Sequence, residues 1–490
     1  MRRPAKVSVP RLWFARPSNL FARVTAGTAQ ATRKPFMPSL LPSVTLSGQM
    51  IRFNPLLIVA HLCMACAAAT AAERPNIILI MVDDMGCDWV SCYGAGHQTP
   101  NVDRLAKEGL RYTTAWCTPI CTPTRVTLLT GQYPFRHGWL QHYDVPRLGG
   151  SGLDWDKFKT FAAAIRDAGY ATGIGGKWQI NDLRRQPDAL KQHGFDEHCV
   201  WTGAERKHPE TEERYFNGYL MTNGIRQTVP YGPDTINDFA IDFVKRHRKE
   251  SFLFYYPMLL THGPFGSTPF NKDEPPTEKL EQYAGYVTYM DHLVGKLIDA
   301  VDDAGIAEKT MIIFVGDNGS SIAGTINGET YQKGKGQPAD RGVHVPFIVR
   351  APFLIPQPGL YSKDLTDFTD LYPTFVELAG ARFPEGVTLD GKSLVPSLSG
   401  EEDPFKKRNW IFSQIGDFRM VRDWEYLLDN QQGCYHVLND PLQTKNLWTS
   451  KERIVPGRRE RLQKILDRFP ANAPPPFPEY QQRHAPAAQK

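Results

Sequence analysis

Asn76-Ile77-Ile78-Leu79-Ile80-Met81-Val82 is a short apolar run that stops abruptly at two acids, Asp83 and Asp84. A run of this length without polar alternation reads as a strand buried on both faces, the kind found inside a parallel sheet. Two carboxylates at its end cannot stay buried and unpaired, because taking an ion out of water is costly. The strand therefore delivers acids to the place where open α/β sheets hold ligands, beyond the carboxyl ends of the strands.

Outward from this run, helical patterns at 100–108, 123–129, 158–168, 236–247, 278–304 and 371–378 alternate with apolar runs at 110–116, 171–174, 252–258, 310–315 and 345–350. That alternation predicts an α/β fold, a large mostly parallel sheet flanked by helices on both faces. After about residue 400 the pattern shifts to short pieces at 410–414, 418–422 and 424–428. These predict a smaller C-terminal antiparallel sheet, closed by a helix at 458–468. The expected organisation is a main domain over 73–400, a small subdomain over 401–470 and a loose Pro-, Ala- and Gln-rich tail over 471–490.

The formal charge of +5 belongs to the N-terminus. Residues 1–72 hold nine of the 57 Lys and Arg and no Asp or Glu, which leaves 48 bases against 52 acids and a balance of −4. A mildly acidic body without a basic stripe excludes nucleic acid as a partner. Residues 50–71 combine Arg52, an apolar run from Leu56 and the small-residue end Ala69-Thr70-Ala71, the layout of a secretory signal peptide. The run is short and broken by His61, which disfavours a membrane span. Residues 1–49 then read as an upstream start or an Arg-rich leader, and the body as exported, periplasmic or secreted. Of the eight cysteines, six lie beyond the signal (Cys87, Cys92, Cys117, Cys121, Cys199, Cys434), spaced neither as a disulfide framework nor as paired C-x-x-C zinc ligands.

The run at 310–315 ends as the first one does, in Gly316-Asp317-Asn318-Gly319. Asp83, Asp84, Asp317 and Asn318 offer oxygen donors only, which suits one calcium or magnesium ion better than zinc. Taken singly, Asp84 reads equally as a helix cap and Asp317-Asn318-Gly319 as a turn. Between the acid pairs lies Cys121-Thr122-Pro123-Thr124-Arg125, in which Thr122 is expected to cap a helix and Pro123 to start it. Cys121 would then sit at a helix N-terminus, a place that favours anions, with Arg125 one turn on. A buried structural cysteine is the plainer alternative.

Cys-x-Pro-x-Arg followed by Val-Thr-Leu-Leu-Thr-Gly resembles the signature of the formylglycine-dependent sulfatases, within the alkaline phosphatase superfamily. RPNIILIMVDDMG, TPNVDRLAKEG, GQYPFRHG, GGKW, THGPF, IIFVGDNG, KGKG and GVHVPFIVRAP occur in the family's order, and the resemblance spans roughly residues 74–447. It implies a sulfuric ester hydrolase acting on a sulfated small molecule or carbohydrate. It implies one Ca2+ held by Asp83, Asp84, Asp317 and Asn318, and Cys121 oxidised to formylglycine by a separate formylglycine-generating enzyme. One hydroxyl of the hydrated aldehyde attacks sulfur, and loss of the proton from the other expels sulfate. Arg125 matches the side chain that steadies this group, Lys177 and Lys335 match the lysines on the sulfate oxygens, and His262 matches the acid for the leaving alcohol.

The sequence departs from the family at Gln179, where Gly176-Lys177-Trp178 is commonly followed by His. Glutamine binds a sulfate oxygen but cannot act as a base. Thr124 for Ser, Gly316 for Ser and Arg341 for Gly are smaller departures. Two rival readings are a phosphate or phosphonate monoester hydrolase of the same superfamily and a non-catalytic binder of sulfated glycans. Leaving-group recognition falls to loops at 143–155, 201–231 and 263–276.

Overall fold

The computed structural model describes residues 74–470 and 476–484; the leader and signal peptide expected over 1–72 lie outside the described residues. The apolar run forms β1 (Asn76–Val82), and side chains along it alternate between two cores. Ile77, Leu79 and Met81 enter one cluster, while Ile78, Ile80 and Val82 enter the other, all at 0% exposure. Each such side chain contributes about 1.5–3 kcal/mol of burial.

Ten strands make the main sheet: β1, β2 (Leu110–Trp116), β3 (Ala171–Lys177), β4 (Glu197–Trp201), β5 (Phe216–Thr222), β6 (Ile225–Tyr231), β7 (Phe252–Pro257), β8 (Thr310–Gly316), β11 (Phe347–Arg350) and β12 (Leu360–Asp367). A two-stranded ribbon supplies β9 (Gly324–Ile326) and β10 (Glu329–Tyr331). The sheet order is β12-β2-β11-β8-β1-β7-β3-β4-β5-β6. The central block β8-β1-β7-β3-β4 is parallel throughout, while β11 and β5 run antiparallel to their neighbours. Helices α1 (Pro100–Glu108), α2 (Cys121–Thr130), α3 (Phe161–Asp167), α4 (Gly232–His247), α5 (Lys279–Asp303) and α6 (Leu371–Ala379) complete this body. The long helix buries Tyr283, Val287, Met290, Leu293, Leu297 and Val301 along one stripe, the spacing that the sequence pattern predicts.

A separate antiparallel sheet holds β13 (Ile411–Ile415), β14 (Phe418–Arg422), β15 (Tyr426–Asp429) and β16 (Cys434–His436), closed by α7 (Val455–Leu466). It is anchored to the main body by Trp116, Val343 and Leu365 packing with Ile411, Met420 and Leu427, and by Arg422 paired with Asp340 at 2.7 Å.

The expected loose tail is corrected over its described part. Residues 478–484 form α8 (Pro478–His484), with Phe477 at 5% and Tyr480 at 2% exposure. Both rings pack on Trp139 and Tyr143, and that apolar contact holds a segment whose composition reads as disordered.

Candidate active site

Parallel pairing of β1 with β8 aligns Val82 with Gly316, so both acid pairs leave the sheet side by side. Asp317 N–H donates to Val82 O at 2.9 Å, and Asp84 N–H donates to Asp317 Oδ1 at 2.9 Å. The backbone there is tight: a Cβ at Gly316 would lie 2.0 Å from Met85 O, which gives the family's serine no room. On the other flank β7 leads to His262, and β3 ends in Lys177. Gly176, at φ +135°, brings that end close to β7, since a Cβ would meet Pro257 O at 1.8 Å.

The side chains converge at the carboxyl ends of these strands. Lys177 Nζ lies 2.6 Å from Asp83 Oδ2, Lys335 Nζ 2.7 Å from the Asp84 carboxylate, and Arg125 Nη2 2.9 Å from Asp317 Oδ2. Burial opposes ionisation of Asp83, yet Lys177, His262, Arg125 and Lys335 hold its carboxyl well below the usual range. Burial and the neighbouring Asp83 push the Asp317 carboxyl well above that range, with Arg125 opposing. His262 donates from Nδ1 to Gly263 O at 2.6 Å, and its Nε2 lies 3.9 Å from Asp84 Oδ2. Burial, then the charge on Lys177, lowers its pKa to about 3. The Tyr215 hydroxyl fixes this turn by donating to Leu259 O and His262 O.

Two buried oxygens in this cluster, Asp83 Oδ1 and Asn318 Oδ1, have no hydrogen-bond partner. Together with the Asp84 and Asp317 carboxylates they make an all-oxygen donor set that fits a hard divalent cation. Asp83, Asp84 and His262 also bring ligand atoms within 4.8 Å of one another. The imidazole is the odd member there, because its Nδ1 is committed to Gly263 and the orphaned atoms are oxygens.

Cys121 opens α2 at 1% exposure, as expected, but the cap differs from the prediction. Ile120 is the N-cap and no side chain caps the helix. Thr124 Oγ1 instead ties the entry turn to Thr118 and Ile120, while Thr122 Oγ1 lies 2.8 Å from His142 Nδ1. Cys121 neighbours Arg125, Lys335 and Asp317, at the rim of the carboxylate cluster.

The Sulfatase family model matches residues 75–381, the stretch that builds this cluster. The chain belongs to the sulfatase family. It is 31% identical over 369 residues to N-acetylgalactosamine-6-sulfatase of Canis lupus familiaris, covering 68% of this chain and 67% of that one. It is 29% identical to arylsulfatase H of Homo sapiens, covering 75% and 79%. The solved structure of Ps i-CgsB matches with a TM-score of 0.71 at 26% identity, over 84% of this chain and 96% of that one. The same protein in complex with k-i-k-neocarrahexaose matches at 0.68 and 26%, over 80% and 93%. The sulfatase is thus a sulfuric ester hydrolase.

Of the residues expected in its site, Asp83, Asp84, Arg125, Lys177, His262, Asp317, Asn318 and Lys335 meet in one cluster, with Cys121 at its edge. Gln179 is buried beside it, but its Nε2 donates to Asp144 Oδ2 at 3.3 Å and its Oε1 has no partner. Sequence reasoning missed His142, 3.7 Å from Cys121 Sγ, together with Thr122 and Asp144 as its surroundings. Nothing in a motif marks His142; it follows GQYPFRHG in a segment without periodicity. The six described cysteines are all free thiols.

Proposed function

We propose that this sulfatase removes sulfate from a sulfated carbohydrate, with residue 121 as formylglycine and one calcium ion at the acid pairs. The observation that carries this is the junction of Cys121, at the N-terminus of a buried helix, with three cations and three carboxylates at the ends of parallel strands. Asp83, Asp84, Asp317 and Asn318 would hold the ion, whose charge polarises a sulfate oxygen. Formylglycine supplies a hydrated aldehyde, a nucleophile on a carbon that can later release sulfate without a second attack at sulfur.

Lys177 and Lys335 lie within 2.7 Å of Asp83 and Asp84, which pre-orients their ammonium groups toward an incoming sulfate at little entropic cost. Arg125, bound to Asp317, holds the helix start against the strand ends. His262 directs Nε2 toward the acid pairs while Gly263 O holds its Nδ1 proton, so Nε2 is the ring atom that would face the leaving alcohol, and only the doubly protonated ring can serve as its acid. A carbohydrate leaving group is supported by the k-i-k-neocarrahexaose complex of Ps i-CgsB. Export is supported by the signal layout at 50–71, and no helix among the described residues is long and apolar enough to cross a membrane. The maturation partner is a formylglycine-generating enzyme reading Cys121-Thr122-Pro123-Thr124-Arg125. The division into a catalytic body over 73–400 and a subdomain over 401–470 is part of the same proposal.

Mass spectrometry of the residue-121 peptide from the natural host tests the nucleophile, and sulfate release from sulfated oligosaccharides beside aryl phosphate turnover tests the reaction. An aldehyde at 121 and preference for sulfate are expected. An intact thiol in active protein, or faster phosphate turnover, would overturn the reading.

A further inference from the structure

The side chain that stands where the family commonly has a base, Gln179, is engaged with Asp144 and cannot accept a proton from residue 121. The imidazole beside residue 121 comes from elsewhere. His142 Nδ1 lies 3.7 Å from Cys121 Sγ and 2.8 Å from Thr122 Oγ1. We infer that His142 is a further catalytic residue, the proton acceptor that frees sulfate from residue 121. This rests on the formylglycine sulfatase reading above.

Three observations support it. The imidazole is positioned by Thr122, whose Oγ1 lies 2.8 Å from the ring nitrogen that faces residue 121; the Thr122 O–H turns away when that nitrogen's lone pair takes the proton. Its loop is held at both sides: Leu140 N–H and Gln141 N–H both donate to the Tyr480 hydroxyl, at 2.6 and 2.5 Å, and Gly416 N–H donates to Leu140 O at 2.8 Å. The ring is also neutral at working pH. Burial first, then Lys177, Lys335 and Arg483, lower its pKa to about 4 against the pull of Asp144, and burial lowers that of the neighbouring His484 as well. An uncharged imidazole facing the reacting residue is ready to take a proton.

The step balances as follows. His142 Nδ1 takes the proton of the free hydroxyl on the Cβ of residue 121. The electron pair of that O–H bond forms the C=O bond, and the other C–O bond breaks with its pair leaving on sulfate. Water then adds across the aldehyde, and the proton on His142 returns to solvent.

The test mixes an aryl sulfate with wild type and with His142→Asn, quenches, and weighs the peptide containing residue 121. The expected result is a burst of one phenol per enzyme, a steady rate lowered about 100-fold, and a sulfo group retained on that peptide in the variant but not in wild type. A folded variant whose peptide never carries a sulfo group, whether its turnover is unchanged or lost from the first cycle, overturns the inference. Should His142→Asn melt far below wild type, His142→Gln carries the same two outcomes. A wild type that has no aldehyde and releases no phenol fails the proposed function instead, so the two failures are distinguishable.

Discussion

The strand ends and the 138–144 loop reach the same site by opposite means. Asp83, Asp317 and Lys177 are each placed by a regular parallel strand whose neighbours align them, and a seven-residue register fixes Val82 opposite Gly316. His142 sits on a loop without repeating structure, and its neighbours Leu140 and Gln141 are held by partners 276 to 340 residues away in sequence, Gly416 in the β13–β14 turn and Tyr480 in the C-terminal helix. The strand ends carry charge and are crowded with ion pairs, while the loop carries a neutral ring beside Thr122, next to Tyr143 packed on Tyr480. The difference separates two tasks: binding an anion needs fixed charge on a rigid sheet, whereas moving a proton needs an uncharged base facing the reacting residue.

Cys121→Ala tests the point where the two regions meet and should have the largest effect. Turnover should vanish with little change in thermal unfolding, since the side chain supplies the nucleophile and little core volume. A variant retaining a tenth of wild-type activity would break the assignment.

Asp317→Ala isolates the strand ends. It removes one oxygen donor and leaves Arg125 with the 3.4 Å ion pair to Asp83 and a hydrogen bond to Lys177 O, in a buried place where breaking an ion pair costs about 3–5 kcal/mol. The bound ion should disappear from elemental analysis, and activity should fall by at least about 100-fold. Active protein with no metal, or with stoichiometric zinc, would contradict the calcium assignment.

Tyr480→Ala isolates the loop. The ring is 2% exposed and its hydroxyl accepts from two loop amides, so the loss should cost about 3 kcal/mol and loosen His142. Metal content should remain while kcat falls roughly tenfold with KM little changed. Equal loss of metal would show that the loop and the strand ends are one cooperative unit.

The smallest effect concerns His137, which joins the two regions. Its Nε2–H donates to Thr127 Oγ1 on α2 at 3.0 Å, and its Nδ1 accepts from Trp139 N–H at 3.1 Å. Burial lowers its pKa to about 3, so the unfolded chain takes up a proton below about pH 6.5 that the folded chain refuses. Acidification therefore favours unfolding, with full stability above pH 6.5 and a loss of about 1.4 kcal/mol per unit as the pH falls toward 3. Urea midpoints at pH 7.5 and 5.5 should diverge less in His137→Gln than in wild type. An equal divergence would remove His137 from the account.

Hydrophobic period and terminal acids in the sequence determined β1, β3, β7 and β8, the helices between them, and Asp83, Asp84 and Asp317, because those features are local; Lys177 came from the family resemblance, and β4 went unmarked. The same local reading placed α1 and β2 at their observed bounds. It placed the helix that bears Cys121 but not its cap, since Thr122 turned to His142 rather than to its own backbone. Only the tertiary structure decided that Gln179 faces Asp144, that His142 faces Cys121, and that a Pro- and Gln-rich tail docks through Phe477 and Tyr480. The physical reason is the range of the forces involved: periodicity records which face of an element is buried, whereas a loop takes its shape from contacts far along the chain, which leave no pattern in the loop itself.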